Sequence, residues 1–336
     1  MPKLTSRFML AFAILSVLGS LALCDEPATK ESKPNGGDIS AREDKTGITV
    51  SRGDRPVLRY RFGDVPMKPY VEQLFSPGGV QVLRDSPHDH KHHHALMFGV
   101  AVDGVDFWAE FPQSGRQKKQ SIETIDPLVL MPNGRWVRTT GAAEELNWTA
   151  PNSDKPLLVE MRKVYALSKP PADIAEQAAE YSATLIEWES RLETPPGKEK
   201  ITLSGGHYFG LGLRFLRSMD GGRFFNADDK PGEIVQGDER LTPTRWCAYT
   251  ANADGKPVTV AMFDQPENVR YPAKMFTMSK PFAYLSATIN LWKEPLEIKA
   301  DKPLTLRYAV AVWDGEVDTK VVEKLYRRWL ELSSDK

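Results

Sequence analysis

Cysteine is nearly missing: the 336 residues hold two, Cys24 and Cys247. That excludes a disulfide-stapled scaffold and any zinc or iron–sulfur site built on thiolates. A basic excess is missing as well. Lys and Arg number 44 against 45 Asp and Glu, a formal net charge of −1, so no charge surplus exists to draw a nucleic acid. Strand–helix alternation is absent, which removes doubly wound and barrel α/β folds. No internal repeat is present. Beyond residues 8–23 no apolar run nears the roughly 20 residues that a spanning helix needs, and that run is itself too short.

What is there begins with an address. Lys3 and Arg7 precede an apolar stretch, and Gly19, Ser20 and Ala22 follow it. Residues 1–24 therefore read as an export signal, implying a periplasmic or extracellular protein. Cleavage falls after Ala22 or near Cys24. A lipid anchor at Cys24 is the other outcome, although Leu23 sits where a small residue is normally needed. Residues 25–46 are rich in Asp, Glu, Lys, Pro and Gly and read as a disordered linker. The folded body is then a single domain over 47–333.

That body is a succession of strands. Period-2 alternation runs through 57–62, 183–189 and 303–310. Residues 257–263 are β-rich and apolar on both faces. Residues 95–102 and 105–108 flank Asp103-Gly104, a good type I′ hairpin turn. Further strands are expected near 80–84, 122–130, 136–140, 157–166, 211–215, 246–250 and 284–292. Helical signals are few: a short one over 172–179, and an amphipathic helix over 316–332 with Val317, Val321, Leu325, Trp329 and Leu332 along one side. The reading is all-β, a large antiparallel sandwich with a C-terminal amphipathic helix. Cys247 and at least six of the eight Trp are expected in its core.

Five of the six His lie within seven residues, in Arg84-Asp85-Ser86-Pro87-His88-Asp89-His90-Lys91-His92-His93-His94; the sixth is His207. Imidazole titrates near neutrality, transfers protons and ligates metals. In an extended segment His88, His90, His92 and His94 would share one face and His93 the other. Three readings follow: a divalent metal held by His90, His92 and Asp89, a metal-free ligand or acid/base site, or a solvated loop with one or two buried His.

Residues 67–108 resemble a family of exported bacterial proteins labelled "methane oxygenase PmoA", better described as PmoA-like and of unknown function. The resemblance rests on Pro69-Tyr70, Ser76-Pro77-Gly78-Gly79-Val80, the histidine segment running into Ala95-Leu96, and Gly104-Val105-Asp106-Phe107-Trp108. It continues in Tyr208-Phe209-Gly210-Leu211-Gly212-Leu213-Arg214, Trp246-Cys247-Ala248-Tyr249 and residues 263–272. It covers nearly the whole body. The resemblance implies a strand-rich body similar to the super-sandwiches of sugar mutarotases and polysaccharide-degrading enzymes. It also implies His where this chain has Gln265, Phe276 and Trp313, and Gly where it has Ala95. Methane oxidation does not follow from the label, because a copper methane monooxygenase subunit crosses the membrane many times and this chain has no span after its signal.

The expectation drawn from both lines is a protein that binds or acts on a carbohydrate or other small polar ligand through the histidine loop. As an enzyme it would be a hydrolase, lyase or epimerase. His90, His92, His93 and Asp264 are the catalytic candidates, with His90 or His92 as acid/base and Asp264 orienting an imidazole. Arg84, Asp89, His207, Arg214, Asn268 and Arg270 are the substrate-binding candidates. The Asp106–Glu110 carboxylates, around an aromatic pair, are a further acid/base candidate. A metal-dependent hydrolase or oxidase on His90, His92 and Asp89, and a non-catalytic glycan-binding module, are the alternatives.

Overall fold

The computed structural model describes residues 39–126, 128–130, 136–167 and 182–333, with no side-chain description for 127–138. The export signal, the linker up to residue 38 and the helix expected over 172–179 lie outside the described residues.

Three antiparallel sheets make up the fold. The largest has ten strands, in spatial order Ile39–Glu43, Gly47–Arg52, Arg55–Arg61, Tyr70–Leu74, Leu96–Gly99, Gly210–Arg214, Tyr284–Thr288, Lys274–Met278, Arg240–Pro243 and Glu233–Ile234. The second has nine. It runs Arg223–Asn226, Trp246–Ala253, Lys256–Asp264, Leu304–Asp314, Thr184–Glu193, Pro156–Leu167, Trp136–Thr149 and Arg116–Ile125, with Leu128–Leu130 added on Trp136–Thr149. A small sheet joins Leu296–Lys299, Lys200–Ser204, Ala101–Val102 and Val105–Asp106. The all-β sandwich with a C-terminal helix, Thr319–Ser333, is the fold expected from the alternation.

The two large sheets pack face to face. Tyr60 meets Trp188 with ring centroids 6.5 Å apart, and Phe98 meets Trp148 at 5.9 Å. Between them lies a fully buried polar group. Arg162 donates through Nε and Nη2 to Glu160 (2.9 and 2.7 Å) and through Nη2 to Gln117 Oε1 (2.7 Å). A buried ion pair survives only with its donors and acceptors filled.

Lys256–Asp264 is buried on both faces, as its composition implies. Val258, Val260 and Met262 enter the core between the sheets, while Ala261 and Phe263 enter a second core under the helix. Val322, Leu325, Tyr326 and Trp329 are the buried helical residues there. Val321 and Leu332 from the expected stripe are only partly buried. The hairpin turn is also as expected: Asp103 and Gly104 both have positive φ, 47° and 83°, the conformation that type I′ demands. Cys247 is buried and unpaired, and burial pushes its thiol up to about 12, which makes it an inert core residue.

Three boundaries need correction. The linker expected over 25–46 is not wholly linker. Ile39–Glu43 pairs with Gly47–Arg52 from Ile39↔Arg52 to Glu43↔Ile48, because a two-stranded backbone ladder with only Ile39 buried needs little apolar sequence. Residues 80–84 form isolated bridges, Phe75↔Gln81 and Leu83↔Phe215, rather than a strand. The strand starting at Tyr284 stops at Thr288, shortly before the positive φ of Asn290, 58°.

Candidate functional site

Directly opposed residues of antiparallel strands share a face. Phe98 faces the second sheet, and it pairs with Leu211, which pairs with Ala287. The alternate residues Gly212, Arg214, Tyr284 and Ser286, and Phe276 opposite Ser286, therefore face outward. Gly212 is required there. A Cβ on it would lie 1.8 Å from the Tyr284 hydroxyl and 2.8 Å from the Trp108 ring. Its bare backbone leaves room for both rings over the sheet, where they meet edge to face.

The histidine loop covers this outward face. It is a run of turns and not an extended strand. His90 N–H donates to Pro87 O and His93 N–H to His90 O, both at 2.9 Å. Ser86 N–H returns to His93 O at 2.9 Å, and Ser86 Oγ donates to Lys91 O at 2.8 Å. Ser86 and Ala95 bracket the loop with positive φ, 42° each. The glycine that the PmoA-like pattern carries at Ala95 suits that left-handed backbone.

The expected alternation of faces is therefore overturned, since it assumed a period of two that turns do not have. His90, His92 and His93 line one cavity together. His93 stacks on His90 (4.7 Å) and meets His92 edge-on (4.6 Å). His88 is exposed and His94 points the other way.

The cavity measures about 510 Å³. Trp108, Tyr208, Phe209, Phe276, Phe282 and Tyr284 supply aromatic walls, Phe111 an exposed rim, and Asp106 and Glu239 carboxylates. Neither Arg nor Lys lines it. Burial, reinforced by Lys68 and His90, pushes His92 below the usual histidine range. Burial, with His92 and His90 next, drives His93 down to about 2. Both are neutral imidazoles at pH 7. Three buried polar atoms in the wall, His93 Nδ1, Trp108 Nε1 and Tyr284 OH, have no partner among the described residues. Such orphans are costly unless something fills them.

Behind the loop His94 is held from both sides. Nδ1 meets Asp85 Oδ1 at 2.8 Å and Nε2 meets Glu110 Oε1 at 3.0 Å. Lys68 Nζ donates to the same Glu110 oxygen at 2.9 Å, and Tyr70 donates to Asp85 Oδ2 at 2.9 Å while stacking on the imidazole. Burial alone would push His94 down; its two carboxylate partners more than reverse this and hold it above the usual range. Glu110, lowered by His94 and Lys68 against its own burial, is thus a strut and not a free acid.

Residues 47–327 match a family described as a family of unknown function, DUF6807. The chain belongs to that family. No curated protein matches it in sequence. Among solved structures, the GH36 α-galactosidase AgaB from Geobacillus stearothermophilus is similar over 83% of this chain and 41% of its own, at 9% identity and a TM-score of 0.47. A β-arabinopyranosidase is similar over 77% of this chain and 39% of its own, at 13% identity and a TM-score of 0.42. YeaD from Salmonella typhimurium, named a mutarotase, is similar over 82% of this chain and 94% of its own, at 12% identity and a TM-score of 0.36. The chain spans about two fifths of the length of the two glycosidases. At these identities the likeness is one of strand-built shape and says nothing of chemistry.

In this DUF6807 member the other expected site residues divide. His207 joins the site's edge: its Nε2 meets Glu239 Oε2 at 3.0 Å, and its ring packs on Tyr208 and Phe276. Asp89 contacts His90 Nδ1 at 3.1 Å and Arg214 Nη2 at 3.6 Å. Arg84 and Arg214 line a smaller cleft beside the cavity. The expected metal set of His90, His92 and Asp89 is not gathered as ligands. Among the described residues no group of three or more His, Cys, Asp or Glu is placed to hold a metal ion.

Asp264, Asn268 and Arg270 are not brought to the histidines. Asp264 is buried, accepting from Asn268 Nδ2 (2.8 Å) and Ala273 N–H (2.6 Å). Asn268 also clamps both backbone groups of Arg307. Arg270 donates to Ile289 O at 2.8 Å and Glu294 O at 2.5 Å. They fasten a loop, an outcome that a polar loop sequence cannot distinguish from ligand binding. Of the three positions where the PmoA-like pattern has His, only Phe276 lines the cavity; Trp313 is sealed under the helix. Missed altogether were Glu239, Phe282 and Tyr284, which stand far from any motif. No local signal marks them: Glu239 and Phe282 lie outside the strands, and Tyr284 is one apolar strand residue among many.

No described helix is long and apolar enough to cross a membrane.

Proposed function

We propose that this protein binds a carbohydrate in the cavity under the histidine loop and that His92 serves there as a general base. The observation that carries this is the lining itself: seven aromatic residues set against three imidazoles and two carboxylates, with no cation. Sugar rings present C–H faces that pack on aromatic planes and hydroxyl edges that both donate and accept. The volume lies within the roughly 300–1,000 Å³ of small-molecule sites.

His92 is assigned the proton-transfer role because it is held neutral and, among the described residues, no hydrogen bond occupies either ring nitrogen. His90 is engaged by Asp89 and His93 is deeper in the wall. Export, read from residues 1–24, fits a protein that meets polysaccharide outside the cell.

The test is a binding and turnover screen of mono- and oligosaccharides, read by calorimetry and by the fluorescence of Trp108. His92→Gln is expected to retain binding and fold while losing turnover. Binding without turnover of any sugar would remove the His92 step and leave a glycan-binding module. No sugar binding at all would overturn the reading.

A further inference from the structure

We propose that the sugar is acidic, and that its carboxylate or sulfate group is bound by Arg84, Arg214 and Arg217 in a cleft of about 240 Å³ that shares a wall with the aromatic cavity. This rests on the carbohydrate reading above. His90, Pro281 and Phe282 line both spaces, so the cleft adjoins the cavity.

Arg214 is the centre of the argument. Its side chain is 2% exposed, and its guanidinium carbon lies 3.4 Å from the centroid of the Phe282 ring. One face is thus covered by an aromatic plane. Nε and Nη1 have no hydrogen-bond partner among the described residues. Nη2 has only Asp89, at 3.6 Å. A buried guanidinium with two orphaned nitrogens is an expensive group to keep unless an anion completes it.

The surroundings add like charge. Arg84 is half-buried beside Arg214 and is tied to it through the backbone, Arg84 N–H to Arg214 O at 2.9 Å. Arg217 is exposed at the mouth. Among the described residues neither Arg84 nor Arg217 has a side-chain hydrogen bond or ion pair.

Two carboxylates also line the cleft, and both are engaged by the protein. Asp89 faces His90 and Arg214, and Asp220 accepts the Ala283 N–H at 2.8 Å. They offset two of the three guanidinium charges, so one positive charge remains for a ligand. Guanidinium suits planar or tetrahedral oxyanions because several N–H donors converge on them. The aromatic cavity holds no cation. The molecule therefore separates a stacking site from a charge site, as a sugar ring bearing an acidic substituent requires.

The experiment compares affinities of neutral sugars with those of their uronic acids and sulfate esters: glucose, galactose and mannose, each beside its acid and its 6-sulfate, by calorimetry at low salt. The wild-type chain is expected to bind an acidic form at least about tenfold more tightly than its neutral parent, an advantage that raised salt erodes. In the Arg84→Gln/Arg217→Gln variant, which touches no fully buried side chain, that ratio is expected to fall to about twofold or less. The stronger ligand of the acid and sulfate pair names the anion. Equal affinity for neutral and acidic forms overturns this inference and leaves the carbohydrate reading standing. An acid preference that survives in the double variant also overturns it. Failure of every sugar to bind overturns both.

Discussion

The two large sheets turn outward faces of opposite character to their surroundings. The nine-stranded sheet carries Ala248, Ala261, Ala309 and Ala311 on that face, small residues that let a helix come close. Trp246, Phe263, Trp313 and Trp329 fill what space is left. Polar groups there are largely matched: Trp329 Nε1 donates to Glu187 Oε2 at 2.8 Å, and Tyr165 donates to Glu187 Oε1 at 2.6 Å. Trp313 Nε1 is an exception among the described residues. The ten-stranded sheet carries Gly212 where a small residue is needed, but loops and not a helix lie above it. Its aromatic residues enclose a cavity and leave three wall atoms unpartnered among the described residues. One face has completed its packing within the chain. The other leaves a cavity open.

Removing the seal should have the largest effect. Trp329→Ala is expected to destabilise the fold by about 3–5 kcal/mol, since it opens a cavity and strips a donor from buried Glu187. Urea unfolding measures this. A loss under about 1 kcal/mol would mean the helix closes nothing, and the contrast between the faces would fail.

An intermediate effect concerns acid. The folded His93 is held down to about 2 by burial and its histidine neighbours, while an unfolded histidine titrates near 6.5. Below that value the unfolded chain binds a proton that the native chain refuses. Stability conferred above pH 6.5 is therefore lost as pH falls. Between pH 6.5 and 4.5 the loss is about 2 kcal/mol. His93→Gln should show that much less acid sensitivity than the wild-type chain in matched denaturant melts. An unchanged slope would mean the loop opens to let His93 charge.

The smallest effect on stability has the most to say about the open face. Tyr284→Phe deletes a hydroxyl without a hydrogen-bond partner among the described residues, so stability should stay within about 1 kcal/mol or rise. Sugar affinity should fall in the same variant. A loss of 2 kcal/mol or more, measured by thermal melts, would reveal a protein partner for that hydroxyl and weaken the case that a ligand supplies it.

Legibility followed the range of the interactions. Alternation over 57–62 and 303–310, the Asp103-Gly104 turn and the apolar stripe from Val317 to Leu332 are local signals, and each marked an element that the fold contains. The histidine segment was legible as a place but not as a geometry. Two successive turns, beginning at Pro87, bring His90, His92 and His93 to one cavity and send His94 to Asp85 and Glu110. Asp264, Asn268 and Arg270 looked like a binding loop, and their hydrogen bonds are spent on that loop itself. Glu239, Phe282 and Tyr284 carried no local mark at all.

Sequence alone therefore determined most of the longer strands, the closing helix, the antiparallel sandwich and the place of the histidine loop. Those depend on periods of 2 and 3.6 residues, which are written along the chain. The tertiary structure alone decided which imidazoles share a cavity and which is locked between carboxylates. It also decided that Arg214 is buried with two nitrogens unfilled, and that one outward face is sealed while the other is open. These depend on what lies across a sheet or under a loop, and burial and hydrogen-bond satisfaction are properties of that neighbourhood, not of the order of residues.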